Sequence, residues 1–119
     1  MIVRKVVYDR DPTGNPLYLN TIEVGDTSLP TLVLVHGYGG SGALFYKSFR
    51  HLMNNFHAIC IDIVGMGASS RPTYNPANNM EADQFFTDIF EKWRIAMGDL
   101  TQFYLAGHSF GGYISAVYA

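Results

Sequence analysis

The strongest constraint on the fold comes from two segments built on one plan. "TLVLVHGYGGSG" (31–42) and "LTQFYLAGHSFGG" (100–112) each carry an apolar run into a glycine-rich turn and then into residues that read as a helix. A near-continuous apolar run is the pattern of a strand covered on both faces, as in a parallel sheet. "FHAICID" (56–62) is a third such run. Ahead of them, "IVRKVVYD" (2–9) and "LYLNTIEV" (17–24) flank the turn residues "DPTGNP", which predicts a hairpin-like strand pair. Strands then alternate with helices in the order β β β α β α β α, which predicts an α/β fold with a mostly parallel sheet and helices on both faces.

The helices have readable limits. Over 43–53, Phe45, Phe49 and Leu52/Met53 share one stripe. A long Gly, Ser, Pro and Asn loop (63–78) precedes the second helix, where Asn78 and Glu81 have capping spacing. That helix runs to about Met97, with Phe86, Ile89, Trp93 and Ala96/Met97 expected inward and Asp88–Lys92 as an i,i+4 pair on the outer face. Gly98 is placed to close it. The strand 100–107 is expected to be buried, and a last helix begins at Ser109.

Charge narrows the partners. The 119 residues carry a net charge of −2 with scattered Lys and Arg, so no basic field exists to hold nucleic acid. The single cysteine, Cys60, lies in an apolar run and reads as a buried core thiol in a reducing compartment. Charges appear by position 4 and no apolar run reaches a membrane span, so a cytoplasmic location is expected. Peripheral contact with lipid remains open on this composition. No metal or cofactor is expected.

The chemistry concentrates in "GHSFG", Gly107 to Gly111, which fits G-x-S-x-G. A serine on a sharp strand-to-helix turn needs residues without side chains two positions before and after it, because the backbone there is crowded. Its hydroxyl then stands at a helix head, where free N–H groups favour developing negative charge. Ser109 is therefore the candidate nucleophile. The plain alternative is a small-residue turn that only packs a strand on a helix.

The earlier turn has two readings. "GYGGSG" (Gly37, Gly39, Gly42), with Asp62 twenty residues on, fits the dinucleotide-binding pattern. Against it, two strands precede the unit, His36 stands before the first glycine, and a second glycine turn follows Asp62. Alternatively "HGYGG" is an oxyanion loop, with the N–H groups of Tyr38 and Phe110 as the two donors. This second reading explains both turns. His57 and Asp62 also fit H-x-x-x-x-D, but positions five apart on a strand face opposite ways at roughly 16 Å. His57 is then a strand-end or surface residue. Asp62 is expected to hydrogen-bond loop backbone, with His36 as a further partner. His108 is expected to be packed or hydrogen-bonded away from the serine, and His51 to sit on a helix surface.

With these motifs in place, the chain resembles the α/β-hydrolases, and within them the abhydrolase-domain proteins four and five with their plant and fungal relatives. The resemblance spans about residues 30–119 and rests on "LVLVHGYGG", "IDIVGMGASSRP", "EKWRIAMG" and "LAGHSFGGYISA". It implies the N-terminal half of an α/β-hydrolase domain, with 1–29 as a strand pair and 30–119 as the core holding both loops. It implies lipid acyl chemistry: (lyso)phospholipase activity on N-acyl or lyso-phospholipids, or acyl transfer to lysophosphatidic acid. Some members are lipase coactivators with Asn at the nucleophile position. Ser109 here implies the hydrolytic type, and a non-catalytic regulator of lipid homeostasis is the alternative. Lipid droplets, mitochondria and membranes are the surfaces such a protein would meet. The family's own H-x-x-x-x-D lies nearer its C-terminus, past these residues.

In this fold the acid and histidine of a triad follow the serine. After Ser109 come only "FGGYISAVYA", with neither. The chain is thus expected to be a truncated domain, inactive and prone to association by itself, with its last strand left unpaired along one edge.

Overall fold

The computed structural model describes residues 1–119. Five strands form one sheet: β1 (Ile2–Arg10), β2 (Pro16–Val24), β3 (Thr31–Val35), β4 (His57–Ile61) and β5 (Phe103–Gly107). A 3-10 turn (Gly42–Phe45) leads into α1 (Tyr46–Leu52), followed later by α2 (Asn79–Ala96) and α3 (Phe110–Tyr118). The sheet order is β1-β2-β4-β3-β5. β1 and β2 are the expected antiparallel pair, β2 joins β4 antiparallel, and β4, β3 and β5 run parallel.

Strand alternation sorts the core into two layers. On β4, which is buried throughout, Ala58 and Cys60 point to one face and Ile59 and Ile61 to the other. The first face is covered by Phe45, Phe49 and Leu52 around α1. The second is covered by α2 and α3 through Ile89, Phe90, Trp93 and Ile114. Helices thus occupy both faces. Burial pushes the Cys60 thiol up to about 12, which fits an inert core residue.

Trp93 is fully buried, and its indole N–H donates to Thr21 Oγ1 at 3.0 Å. This ties α2 to β2 through a satisfied polar contact inside apolar surroundings. Asn78 caps α2 by accepting from the Glu81 N–H at 2.9 Å, while Glu81 reaches back to the Ala77 N–H at 2.7 Å. At the other end Gly98 has φ +89°, the left-handed turn that stops the helix.

Several expectations are corrected. Phe90 belongs to the inward stripe of α2, and Ala96 is exposed. Lys92 does not pair with Asp88; it crosses to Asp9 on β1 at 2.7 Å. β5 is not buried, because it is the edge strand of the sheet, and Tyr104 on it is exposed. Met53 lies outside the packed stripe of α1 and is exposed as well.

Candidate active site

The parallel register decides where the loops meet. Val35 is aligned with Ile61 on one side and with Gly107 on the other. The segments that leave these three residues therefore emerge at one end of the sheet, the carboxyl end where open α/β sheets place their ligands. They are the HG turn (36–41), the loop after Asp62 and the turn at Ser109.

Ser109 has φ 55° and ψ −118°, a conformation that non-glycine residues rarely adopt. It is held because the turn is over-determined. The His108 N–H donates to Val35 O at 3.0 Å and the Gly111 N–H to His108 O at 3.0 Å. A Cβ built on Gly107 would lie 2.3 Å from Gly111 O, and one on Gly111 would lie 2.2 Å from Val35 O. Both glycines of the motif are thus required by backbone approach. Strand β3, the turn and the head of α3 could not close up with any larger residue.

The two glycine turns touch. A Cβ on Gly37 would sit 3.2 Å from Ser109 Cβ and 3.3 Å from His108 Nδ1. The Tyr38 N–H, one residue beyond Gly37, donates to no protein acceptor, and Phe110, one residue beyond Ser109, opens α3, where the first N–H groups of a helix have no acceptor within the helix. Ser109 is exposed, as is the Tyr38 side chain. Gly39 follows with φ +74° and turns the loop back, so that the Gly40 N–H reaches Gly37 O at 3.0 Å.

His36 is buried and committed to structure. Its Nδ1 meets Gly37 O at 2.6 Å and its Nε2 accepts from the Ile63 N–H at 2.8 Å. A carbonyl on one nitrogen and an N–H on the other require the tautomer protonated at Nδ1. Neither nitrogen is left to serve a nucleophile. The expected bond from Asp62 to His36 is absent. Asp62 Oδ1 instead accepts from the Gly42 N–H at 2.7 Å, and Oδ2 from the Ala68 N–H at 2.9 Å and Asn20 Nδ2 at 3.1 Å. With both oxygens turned inward, the carboxylate is not presented to a ribose, which removes the key contact of the dinucleotide reading. His57 stands at the opposite end of β4, buried, with Nε2 3.0 Å from Glu23 Oε2. His51 is exposed on α1. His108 is exposed and makes no side-chain hydrogen bond, contrary to expectation.

Beside the turns lies a hollow of about 280 Å³ that sequence reasoning missed. Tyr38, Met66, Arg71, Tyr74 and Phe86 are among the residues that line it. A second hollow of about 240 Å³ continues to Phe110 and Tyr113. The clustered aromatics of "DQFFTD" were the available signal, but helical spacing could not separate rim positions from core ones.

The model of the alpha/beta hydrolase fold family matches residues 30–119. The chain belongs to that family. Among curated relatives of this alpha/beta hydrolase is a probable 1-acylglycerol-3-phosphate O-acyltransferase of Oryza sativa subsp. japonica. It is 43% identical over 97% of this chain and 28% of its own length. The human 1-acylglycerol-3-phosphate O-acyltransferase ABHD5 is 32% identical, over 94% of this chain and 33% of its own. A (lyso)-N-acylphosphatidylethanolamine lipase of Bos taurus is 33% identical over 91% and 31%. The chain thus spans about a third of the length of the curated relatives it matches. A solved membrane phospholipase A, described as a bacterial virulence factor, superposes with a TM-score of 0.76 at 26% identity over 98% of this chain and 34% of that one. No helix of this alpha/beta hydrolase is long and apolar enough to cross a membrane.

Proposed function

We propose that Ser109 is the nucleophile of an acyl-transfer site acting on lipid esters. Its hydroxyl attacks the ester carbonyl, the oxygen of that carbonyl becomes the oxyanion, and the Tyr38 and Phe110 N–H groups receive it. Collapse expels the alcohol and leaves an acyl-serine. Water then gives hydrolysis, and a lysophospholipid hydroxyl gives transfer. The hydroxyl proton needs a base. His36 and His57 are engaged elsewhere, His51 lies on α1, and His108 adjoins the serine and faces solvent, so the base is none of these four.

The observation that carries this reading is the left-handed turn at Ser109, pressed against Gly37 with two free N–H groups beside it. Lipid as the acyl donor is supported by the apolar hollows that reach Phe110 and by relatives named as acyltransferases and lipases of glycerophospholipids. On this proposal the protein works on its substrate at the surface of a membrane or lipid droplet, on the cytoplasmic side.

Labelling of the intact protein with a fluorophosphonate probe tests the proposal. Covalent labelling that disappears in Ser109→Ala is the expected result. An intact, folded protein that never labels would favour a non-catalytic lipase regulator built on the same fold.

A further inference from the structure

The stretch that joins the loop after β4 to α2, "RPTYNPAN" (71–78), is built to stay extended. Pro72 and Pro76 carry no N–H, and each holds the residue before it away from helical angles. Over 71–77 no backbone–backbone hydrogen bond forms, and the Ala77 N–H goes to Glu81 Oε2 at 2.7 Å. The two ends are fixed. The Ser70 N–H donates to Tyr18 O at 3.0 Å, and Asn78 caps α2. Between them Tyr74 sets its ring on α2, with its centroid 4.8 Å from that of Phe85 and 5.7 Å from that of Phe86.

Tyr74 stands where the two hollows meet. Tyr38, Met66, Tyr74 and Phe86 line both. Phe110 and Tyr113 line only the hollow of about 240 Å³, which puts that hollow next to the nucleophile. Pro72 and Phe85 line only the one of about 280 Å³. The far wall of the nearer hollow is tied. Phe86 packs edge-on against Phe110 at 5.2 Å, Phe110 stacks on Tyr113 at 6.3 Å, and Tyr113 Oη donates to Asp83 Oδ1 at 2.7 Å, which joins α3 to α2. Tyr74, by contrast, is half exposed and rides on a segment with no backbone bonds to break.

We propose that Tyr74 is the specificity-determining residue that grades acyl chains by length: a short chain fills the nearer hollow, and a longer one enters the second only by displacing the Tyr74 ring. The inference rests on the acyl-transfer reading of Ser109 and adds to it a selectivity that the lipid class alone does not fix. A water takes about 30 Å³ of liquid and a methylene takes a similar space, so the nearer hollow holds a chain of about eight carbons. Each carbon beyond that either stays in water or pushes the ring off Phe85 and Phe86. A small side chain at position 74 would join the hollows into one trough.

The test is the rate at which octyl and dodecyl fluorophosphonates label the intact protein, with calorimetric binding of octanoic and dodecanoic acids as a measurement that needs no nucleophile. Tyr74→Ala is expected to raise the dodecyl-to-octyl ratio roughly tenfold or more, because the additional methylenes then leave water without moving a ring. Tyr74→Phe keeps the ring and should keep the wild-type ratio. Tyr46→Ala removes an exposed tyrosine on α1 and should also leave the ratio unchanged. Circular dichroism establishes that each variant is folded. An unchanged ratio in folded Tyr74→Ala overturns the proposal. An equal change for both lengths also overturns it, since Tyr74 would then act on the site as a whole, and so does a fall in the ratio, which would make Tyr74 a grip on long chains. Absence of labelling, with calorimetry still showing the Tyr74 effect on length, would sink the reading of Ser109 and leave the role of Tyr74 standing.

Discussion

Gly111→Ala is the sharpest perturbation of the turn that holds Ser109. The added Cβ would lie 2.2 Å from Val35 O, 2.3 Å from His36 O and 2.6 Å from Val35 C. Carbon contacts to carbonyl oxygens do not hold below about 3 Å, so the head of α3 must retreat from β3 by about 0.8 Å or more. The obstacle is backbone at the end of a hydrogen-bonded strand, and no rotamer change relieves it. Overpacking against side chains costs about 1–3 kcal/mol, and the upper end applies here. A displacement near 1 Å at a nucleophile is worth about a hundredfold in rate. Gly112→Ala, one residue on, is the control, since its nearest contact would be Gly107 O at 3.2 Å and a shift of a few tenths of an ångström suffices. The assay is denaturant unfolding together with the rate of fluorophosphonate labelling, on the intact protein. Gly111→Ala should lose about 3 kcal/mol and label about a hundred times more slowly, while Gly112→Ala stays near wild type. Wild-type stability and labelling in Gly111→Ala would refute the reasoning that backbone closeness positions Ser109.

Three further expectations concern the scaffold. Thr21→Val strands the buried Trp93 indole N–H and should cost about 2 kcal/mol in urea denaturation; combined with Trp93→Phe the losses should be less than additive, because the two residues share one bond. Asp62→Asn turns an N–H₂ toward donors that need an acceptor and should cost about 2–3 kcal/mol, with faster amide exchange at Gly42 and Ala68 as the local signature. The Arg94 guanidinium, with help from the Tyr118 hydroxyl, holds the Glu91 carboxyl down at about 2. Its stabilisation is therefore complete above the ordinary carboxylate range and is lost as pH falls toward 2. Both partners are half-buried at the surface and screened by solvent, so the difference between wild type and Glu91→Gln should be small at pH 6 and vanish near pH 2.

Local pattern was legible, and pairing across the chain was not. The apolar runs announced β3 and β4 because a strand covered on both faces needs no alternation. The cap at Asn78 and the stop at Gly98 were readable because both are made by neighbours in sequence. Gly107 and Gly111 could be assigned a cause, backbone crowding, before any distance was known. Lys92 was misassigned because Asp9, its partner, comes from a strand eighty-three residues away. The apolar run of β5 predicted a buried strand, and only the strand order of the family predicted its unpaired edge, because composition describes a strand and not its place in the sheet. Phe90 was missed because α2 buries a broader stripe than the one traced through Phe86, Ile89 and Trp93. The partners of Asp62 are backbone groups, to which any residue type contributes alike.

The Asp62 carboxylate makes a rigid brace out of two loops that would otherwise move separately. One oxygen grips the segment that follows the HG turn, and the other grips the segment that leads to Arg71. The spacing between those two loops is therefore fixed before any ligand arrives, and loss of this one carboxylate would free both of them at once.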